Sequence, residues 1–313
     1  MYARRLFGAV AAVVVLLGAG TATAQDKVIR VGFQKYGNLI LLKGKGWLEN
    51  KLRPLGYTVE WKEFPSGPPL LEALGIGAID FGHAGETPPI FAQAAGAPFI
   101  YVAHEPPAPE GEAILVPKDS AIRTVADLKG KKVALNKGSN VHYLLVRALE
   151  NAGVKYADIQ TVFLAPADAR AAFERGSVDA WVIWDPFQAA AEVSTGARTL
   201  ATGKGLAPNH QFYLASRTFA EANPKVIDAV IASIAELDDW ARDKVGAVAE
   251  ELSPGTGIPA PVLEIALRRQ TYGIRSLADH VVAEQQRIAD TFLALGLLPG
   301  PIVVSTIVRK SGS

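Results

Sequence analysis

Three short polar stretches of this sequence stand where a strand-like run gives way to a helix-like one: Gln34 to Asn38, Gly85 to Pro88 and Gly138 to Asn140. The first turn of a helix leaves backbone N–H groups unpaired and carries about half a positive charge, worth about 0.3 to 2 kcal/mol to an anion placed there. Several such turns aimed at one point could hold an oxyanion without an arginine. Taken singly, Thr87 and Ser139 read as plain helix caps, so convergence is what would make a site of them. Gln34, Asn136 and Asn140 are neutral amides, able to donate to an anion's oxygens or simply to brace a turn. Lys35 and Lys137, in the same loops, read as solvated surface side chains.

Glu86 and Asp185 sit beside these junctions, and a carboxylate there repels an anion unless it points away or meets a cation. They read as helix-start residues, with a ligand ammonium or a pair across the cleft as the alternatives. Tyr36, Phe91, His142, Trp181, Trp184 and Tyr213 could supply apolar walls. Trp181, inside a buried strand pattern, reads as core, and Trp184, at the strand end beside Asp185, is the better cleft residue. The metalloprotease, phosphate-loop, nucleophile-elbow and dinucleotide-binding patterns are all missing. The five histidines are scattered without ligand spacing, and there is no cysteine. The expectation is a binder with no metal, no cofactor and no catalytic residue.

The junctions need strands and helices to position them. Val28 to Phe33 and Val59 to Phe64 read as strands around a helical stretch that reaches about Leu52. Ala78 to Gly82 reads as a buried strand and Thr87 opens a helix. Ala113 to Pro117, Lys132 to Leu135 and Val178 to Trp184 read as further strands, with helices over Val141 to Ala152 and Ala167 to Arg175. This alternation predicts βαβ units and a parallel sheet. Phe212 to Ala215 reads as a returning strand, followed by helical stretches from Pro224 to about Glu251, Pro259 to Arg269 and Asp279 to Leu295. A weak echo joins two halves: Gly77, Asp80 and Glu86 recur as Gly176, Asp179 and Asp185, and Val31, Gln34 and Asn38 as Val133, Asn136 and Asn140. In both halves these residues lie between a strand and a helix, where open α/β sheets bind ligands.

At 313 residues, with 49% hydrophobic and 20% charged residues, the chain has the length for two packed domains and a globular composition. Arg4 and Arg5, the apolar run Leu6 to Leu17 and the small residues Ala22-Thr23-Ala24 have the layout of a secretory signal peptide over residues 1–24. Without Arg4 and Arg5, 30 basic side chains face 31 acidic ones, a balance that gives no general attraction to nucleic acid.

Five runs, GFQKYGNLILLKGKG, GETPPIFAQAAGAP, EPPAPEGEAILVPKDS, DLKGKKVALNKGSNVHYLLVRALENAG and PADARAAFERGSVDAWVIWDPFQAAAE, occur in this order, with NHQFYLA after the last. Together they make the chain resemble the periplasmic aliphatic-sulfonate-binding proteins of ABC importers, most weakly beyond about Asp243. The resemblance implies an α/β type II periplasmic binding protein fold, with residues 25–115 and 213–313 in one lobe, 116–212 in the other, and the ligand between them. It implies that a sulfonate meets Gln34, Gly85, Thr87, Ser139 and Asn140, with Trp184 and Asp185 facing; Glu86 and His142 complete the candidate set. Related taurine binders use acidic residues for an amine, which leaves an aminosulfonate open for Glu86 and Asp185. Asn38 stands where close relatives are expected to have Thr, and His83 is unusual. The implied partners are the permease and ATPase subunits of an importer, with the binder a monomer in the periplasm. Taurine, a sulfate ester, nitrate or a pyrimidine precursor remains open as cargo. A desulfinase on the same fold would need the cysteine this chain lacks, and a sensor on the same fold is the remaining rival.

Overall fold

The computed structural model describes residues 27–309; the expected signal peptide lies outside them. The chain runs β1 (Lys27–Phe33), α1 (Asn38–Lys45), α2 (Trp47–Leu52), β2 (Tyr57–Glu63), α3 (Gly67–Gly75), β3 (Phe81–Gly85), α4 (Thr87–Ala94) and β4 (Phe99–His104). It continues through β5 (Glu112–Val116), β6 (Lys132–Leu135), α5 (Asn140–Asn151), β7 (Gln160–Phe163), α6 (Pro166–Glu174), β8 (Ala180–Trp184), α7 (Phe187–Thr195) and β9 (Arg198–Thr202). The last part is β10 (Gln211–Ser216), α8 (Arg217–Ala222), α9 (Pro224–Ala241), α10 (Val245–Thr256), α11 (Ala260–Leu267) and α12 (Asp279–Ala294).

The strands form two five-stranded sheets, ordered β2-β1-β3-β10-β4 and β7-β6-β8-β5-β9. Each sheet repeats the other's order, with β6, β7, β8 and β9 in the places of β1, β2, β3 and β4. The expectation of parallel sheets needs correction. β10 runs antiparallel to β3 and β4, and β5 antiparallel to β8 and β9. These are the strands with which the chain enters the sheet it did not just leave, and such a strand is free of the crossover rule that keeps βαβ neighbours parallel. Because β5 begins at Glu112 and pairs throughout in the second sheet, the chain has crossed before Glu112 and not near Val116.

The sequence echo has a structural cause. Arg30 N–H donates to Asp80 Oδ2 at 2.8 Å, and Asp80 N–H returns a bond to the Arg30 carbonyl at 2.7 Å. Lys132 N–H donates to Asp179 Oδ2 at 2.7 Å, and Asp179 N–H to the Lys132 carbonyl at 2.8 Å. Each aspartate thus locks the residue before its strand to the neighbouring strand. This shifts β3 to Phe81–Gly85, later than the expected Ala78 to Gly82, and carries it as far as Gly85.

Apolar cores line both faces of the first sheet and surround the second. The single helix expected from Pro224 to Glu251 is two helices, α9 and α10. The buried stripe of Val226, Val230, Ile234, Leu237 and Ala241 ends at Ala241, and the charged segment Arg242 to Lys244 has no core to face. No helix among the described residues is long and apolar enough to cross a membrane.

Candidate functional site

A cleft opens where the ends of β3 and β8 meet the first turns of α1 and α5, and Gly85, Asn140, Trp184 and Asp185 line it. Gly85 must be glycine: a Cβ there would stand 2.8 Å from the Asn140 Cβ, so its absence lets β3 of one sheet approach α5 of the other. Gly37 is equally constrained, with φ +72° and a would-be Cβ 2.4 Å from Gln211 Oε1. It turns Lys35 and Tyr36 into the lining, where the Tyr36 ring stands 6.5 Å from Trp184.

The other candidates stand behind this surface. Gln34 is buried and donates Nε2 to the His83 carbonyl at 3.0 Å, bracing the β1–α1 loop on β3. His83 stacks on Tyr36 at 5.0 Å, and burial lowers its pKa to about 4, so it is a neutral ring supporting Tyr36. Ser139 opens α5, but its hydroxyl donates back to the Asn136 carbonyl at 2.7 Å. Thr87 is the first residue of α4, fully buried, and its hydroxyl caps nothing. His142 lies outside the cleft lining. Its Nδ1 accepts from Gly138 N–H at 3.2 Å and its Nε2 meets the Tyr156 hydroxyl at 2.7 Å, so it fixes the turn before α5. Of the proposed aromatic walls, Trp181 and Tyr213 are core, and Phe91 stacks with His142.

Glu86 is fully buried and does not cap α4; its Oε2 accepts the His210 backbone N–H at 3.1 Å. Glu112, at the start of β5, accepts from Asn140 Nδ2 at 2.6 Å. Burial pushes the Glu112 carboxyl up to about 8, and burial together with Glu112 raises Glu86 well above the usual carboxylate range. Asn38, the counterpart of Asn140, donates to Glu105 Oε1 at 3.1 Å and to Asp238 Oδ1 at 2.5 Å. Glu105 lines the cleft, and burial and the Asp238 charge raise its carboxyl to about 8. Near neutral pH, therefore, Glu105 and Glu112 are mostly protonated, and an incoming anion meets polar groups without their negative charge.

Asp185 behaves differently. Its Oδ1 accepts Ala189 N–H at 3.0 Å near the start of α7, and its Oδ2 lies 3.3 Å from Arg269, which also holds Glu192 at 2.6 Å. Burial raises Asp185 to about 6 against the pull of Arg269, so it is ionised at neutral pH. An arginine thus stands in the lining after all, with two carboxylates already matched to it. Arg269, Gln270, Asn209, His210 and Gln211 complete the polar lining, and Leu252, Leu263, Ala266 and Leu267 bring α10 and α11 to the same space. None of these was among the sequence candidates. Asn209 carried a usable signal, its place in the matching run NHQFYLA; the leucines of α10 and α11 carried none beyond their place in or near helical stretches. No group of acids and histidines fit for a metal ion is present among the described residues.

Comparison with known proteins agrees with this architecture. The NMT1-like family matches residues 22–252. An aliphatic sulfonates-binding protein of Escherichia coli (strain K12) is 46% identical over 283 residues, covering 90% of this chain and 88% of its own. The crystal structure of the Escherichia coli periplasmic aliphatic sulphonate binding protein SsuA superposes with a TM-score of 0.83 at 44% identity, over 91% of this chain and 92% of that one. The alkanesulfonate-binding protein SsuA of Xanthomonas axonopodis pv. citri, bound to MOPS, superposes with a TM-score of 0.88 at 41% identity, over 92% of this chain and 100% of that one. With two sheets of the same strand order, a cleft between them and these similarities along nearly its full length, the chain has the periplasmic binding protein fold and belongs to the NMT1-like family, in its group of aliphatic sulfonate-binding proteins.

Proposed function

We propose that this chain is an exported solute-binding protein that captures alkanesulfonates in the cleft between two lobes and delivers them to the permease and ATPase subunits of an ABC importer. One lobe is built on the first sheet and the C-terminal helices, the other on residues from Glu112 to Thr202. The observation that carries the reading is the approach of Gly85 to Asn140. It brings the end of a first-sheet strand and the first turn of a second-sheet helix to one point, where the backbone N–H groups of that turn suit an oxyanion and the Asn140 amide is held by Glu112 and Asn209. A ligand touching both lobes favours the closed arrangement by its differential affinity for it. The candidate set for the head group is Gly85 and Asn140 in contact, with Gln34, Glu86, Thr87, Ser139 and His142 supporting the turns, and Trp184 and Asp185 facing them. No chemistry on the ligand is proposed, since a sulfur-releasing enzyme of the desulfinase kind would use a cysteine and the chain has none.

Calorimetric titration with ethanesulfonate tests the reading. Asn140→Ala weakens binding at least tenfold, about 1.4 kcal/mol, and an affinity unchanged in that variant rejects the site. A second cargo is an aminosulfonate such as taurine, whose ammonium would have to compete with Arg269 for Asp185. Tighter binding of taurine than of ethanesulfonate in the same titration selects it.

A further inference from the structure

The cleft lining divides by chemistry and by origin. Most of its polar groups come from strand ends, from the first turn of α5, from the segments that cross between sheets and from the residues just after α11, and Thr256 comes from α10. Its helical apolar groups come from two consecutive helices, Leu252 of α10 and Leu263, Ala266 and Leu267 of α11. Leu263, Ala266 and Leu267 are spaced i, i+3 and i+4, which places them on one face of α11. Leu252 and Thr256 share a face of α10 in the same way, and both line the cleft. Leu263 and Ala266 are only 2% and 6% exposed, so this face is covered by protein and meets the cleft along one edge, not an outer surface.

A head group alone makes no use of such a face. An anion is held by donors, and apolar side chains beside it only withhold water. We propose that α10 and α11 form the subsite for the organic tail of the sulfonate, so that Leu252, Leu263, Ala266 and Leu267 set which tail lengths this protein accepts. The inference rests on the sulfonate reading of the cleft. The wall is held in place at the end of α11: Arg269 binds Asp185 and Glu192 on the α7 side, and Gln270 donates Nε2 to Asn38 Oδ1 at 2.8 Å. On the other side, Leu252, Leu263 and Leu267 share the apolar core of the first sheet with Val248, Ala249 and Ile258. A wall tied on both sides discriminates by volume, because it does not yield to a tail that overfills it. Ala266 is the small residue of the face, between two leucines, and marks where tail atoms find room.

The test is calorimetry of the full exported chain with linear alkanesulfonates from ethane- to hexanesulfonate, read as the ratio of hexane- to ethanesulfonate affinity. In the unsubstituted protein each added methylene tightens binding about fourfold. Ala266→Leu lowers the ratio at least tenfold and Ala266→Val at least threefold, with melting curves verifying that each variant is folded; the smaller substitution serves should the larger unfold. A ratio within threefold of the unsubstituted protein in every folded variant overturns the inference while leaving sulfonate capture standing, as does an unsubstituted protein that binds both sulfonates equally. An unsubstituted protein that binds neither overturns the sulfonate reading and the tail subsite together.

Discussion

The two sheets carry the same strand order and the same aspartate lock, yet the carboxylates that follow their central strands have opposite fates. Glu86, after β3, is fully buried, meets a backbone N–H and neighbours another glutamate, and its burial favours the neutral form. Asp185, after β8, meets Arg269 and stays ionised. The backbone lock at Asp80 and Asp179 is a folding device that both halves need. What each half places at the next helix start is free to differ, because only the cleft reads it.

This comparison can be broken at several points. The largest effect is expected at Asp80, which is buried and also binds the Arg30 guanidinium at 2.6 Å. Asp80→Ala leaves strand-edge donors unpaired and costs about 3 kcal/mol in urea unfolding. Its counterpart Asp179 is half-buried and holds only backbone, so Asp179→Ala costs about 1 kcal/mol; equal losses would contradict the difference between the locks. Arg269→Ala comes next, at about 2 kcal/mol. It strips the cation from Asp185 and Glu192, discounted from the cost of a fully buried pair because all three side chains are partly exposed. A stability unchanged in that variant removes α11 from any role in tying the cleft.

The smallest effect concerns pH. Glu105 and Glu112 have folded-state values of about 8, above the ordinary carboxylate value of 4.5. The folded protein therefore holds more protons between those limits, and its stability falls as pH rises from about 4.5 to about 8, then levels off. Glu112→Gln keeps an acceptor for Asn140 but has nothing to titrate. It raises the melting temperature at pH 8.5 by about 2 °C and flattens the slope below; a slope identical to that of the unsubstituted protein would show that Glu112 does not titrate in this range.

Much of the architecture was legible because it depends on local patterns. Strands, helix starts and the repeat of Gly77 and Asp80 at Gly176 and Asp179 follow from side-chain type and spacing, and Gly85, Asn140, Trp184 and Asp185 were found at strand–helix junctions for that reason. The sequence did not separate Gln34 and His142, which stand behind the cleft lining, from the residues that line it, because a residue next to a cleft loop and one behind it look alike in sequence. Arg269 and the α10–α11 leucines were missed because an amphipathic helix has the same pattern whether its apolar face meets a core or a cavity.

The order of residues by itself determined the alternation of strands and helices, the glycines at close approaches and the absence of cysteine chemistry, since each of these depends on neighbours along the chain. Only the folded molecule decided that β5 and β10 run antiparallel, that Glu105 and Glu112 are held near neutrality, and that Arg269 closes on Asp185 across 84 residues. Desolvation and charge pairing depend on what surrounds a group in space, and that is settled when distant segments pack together.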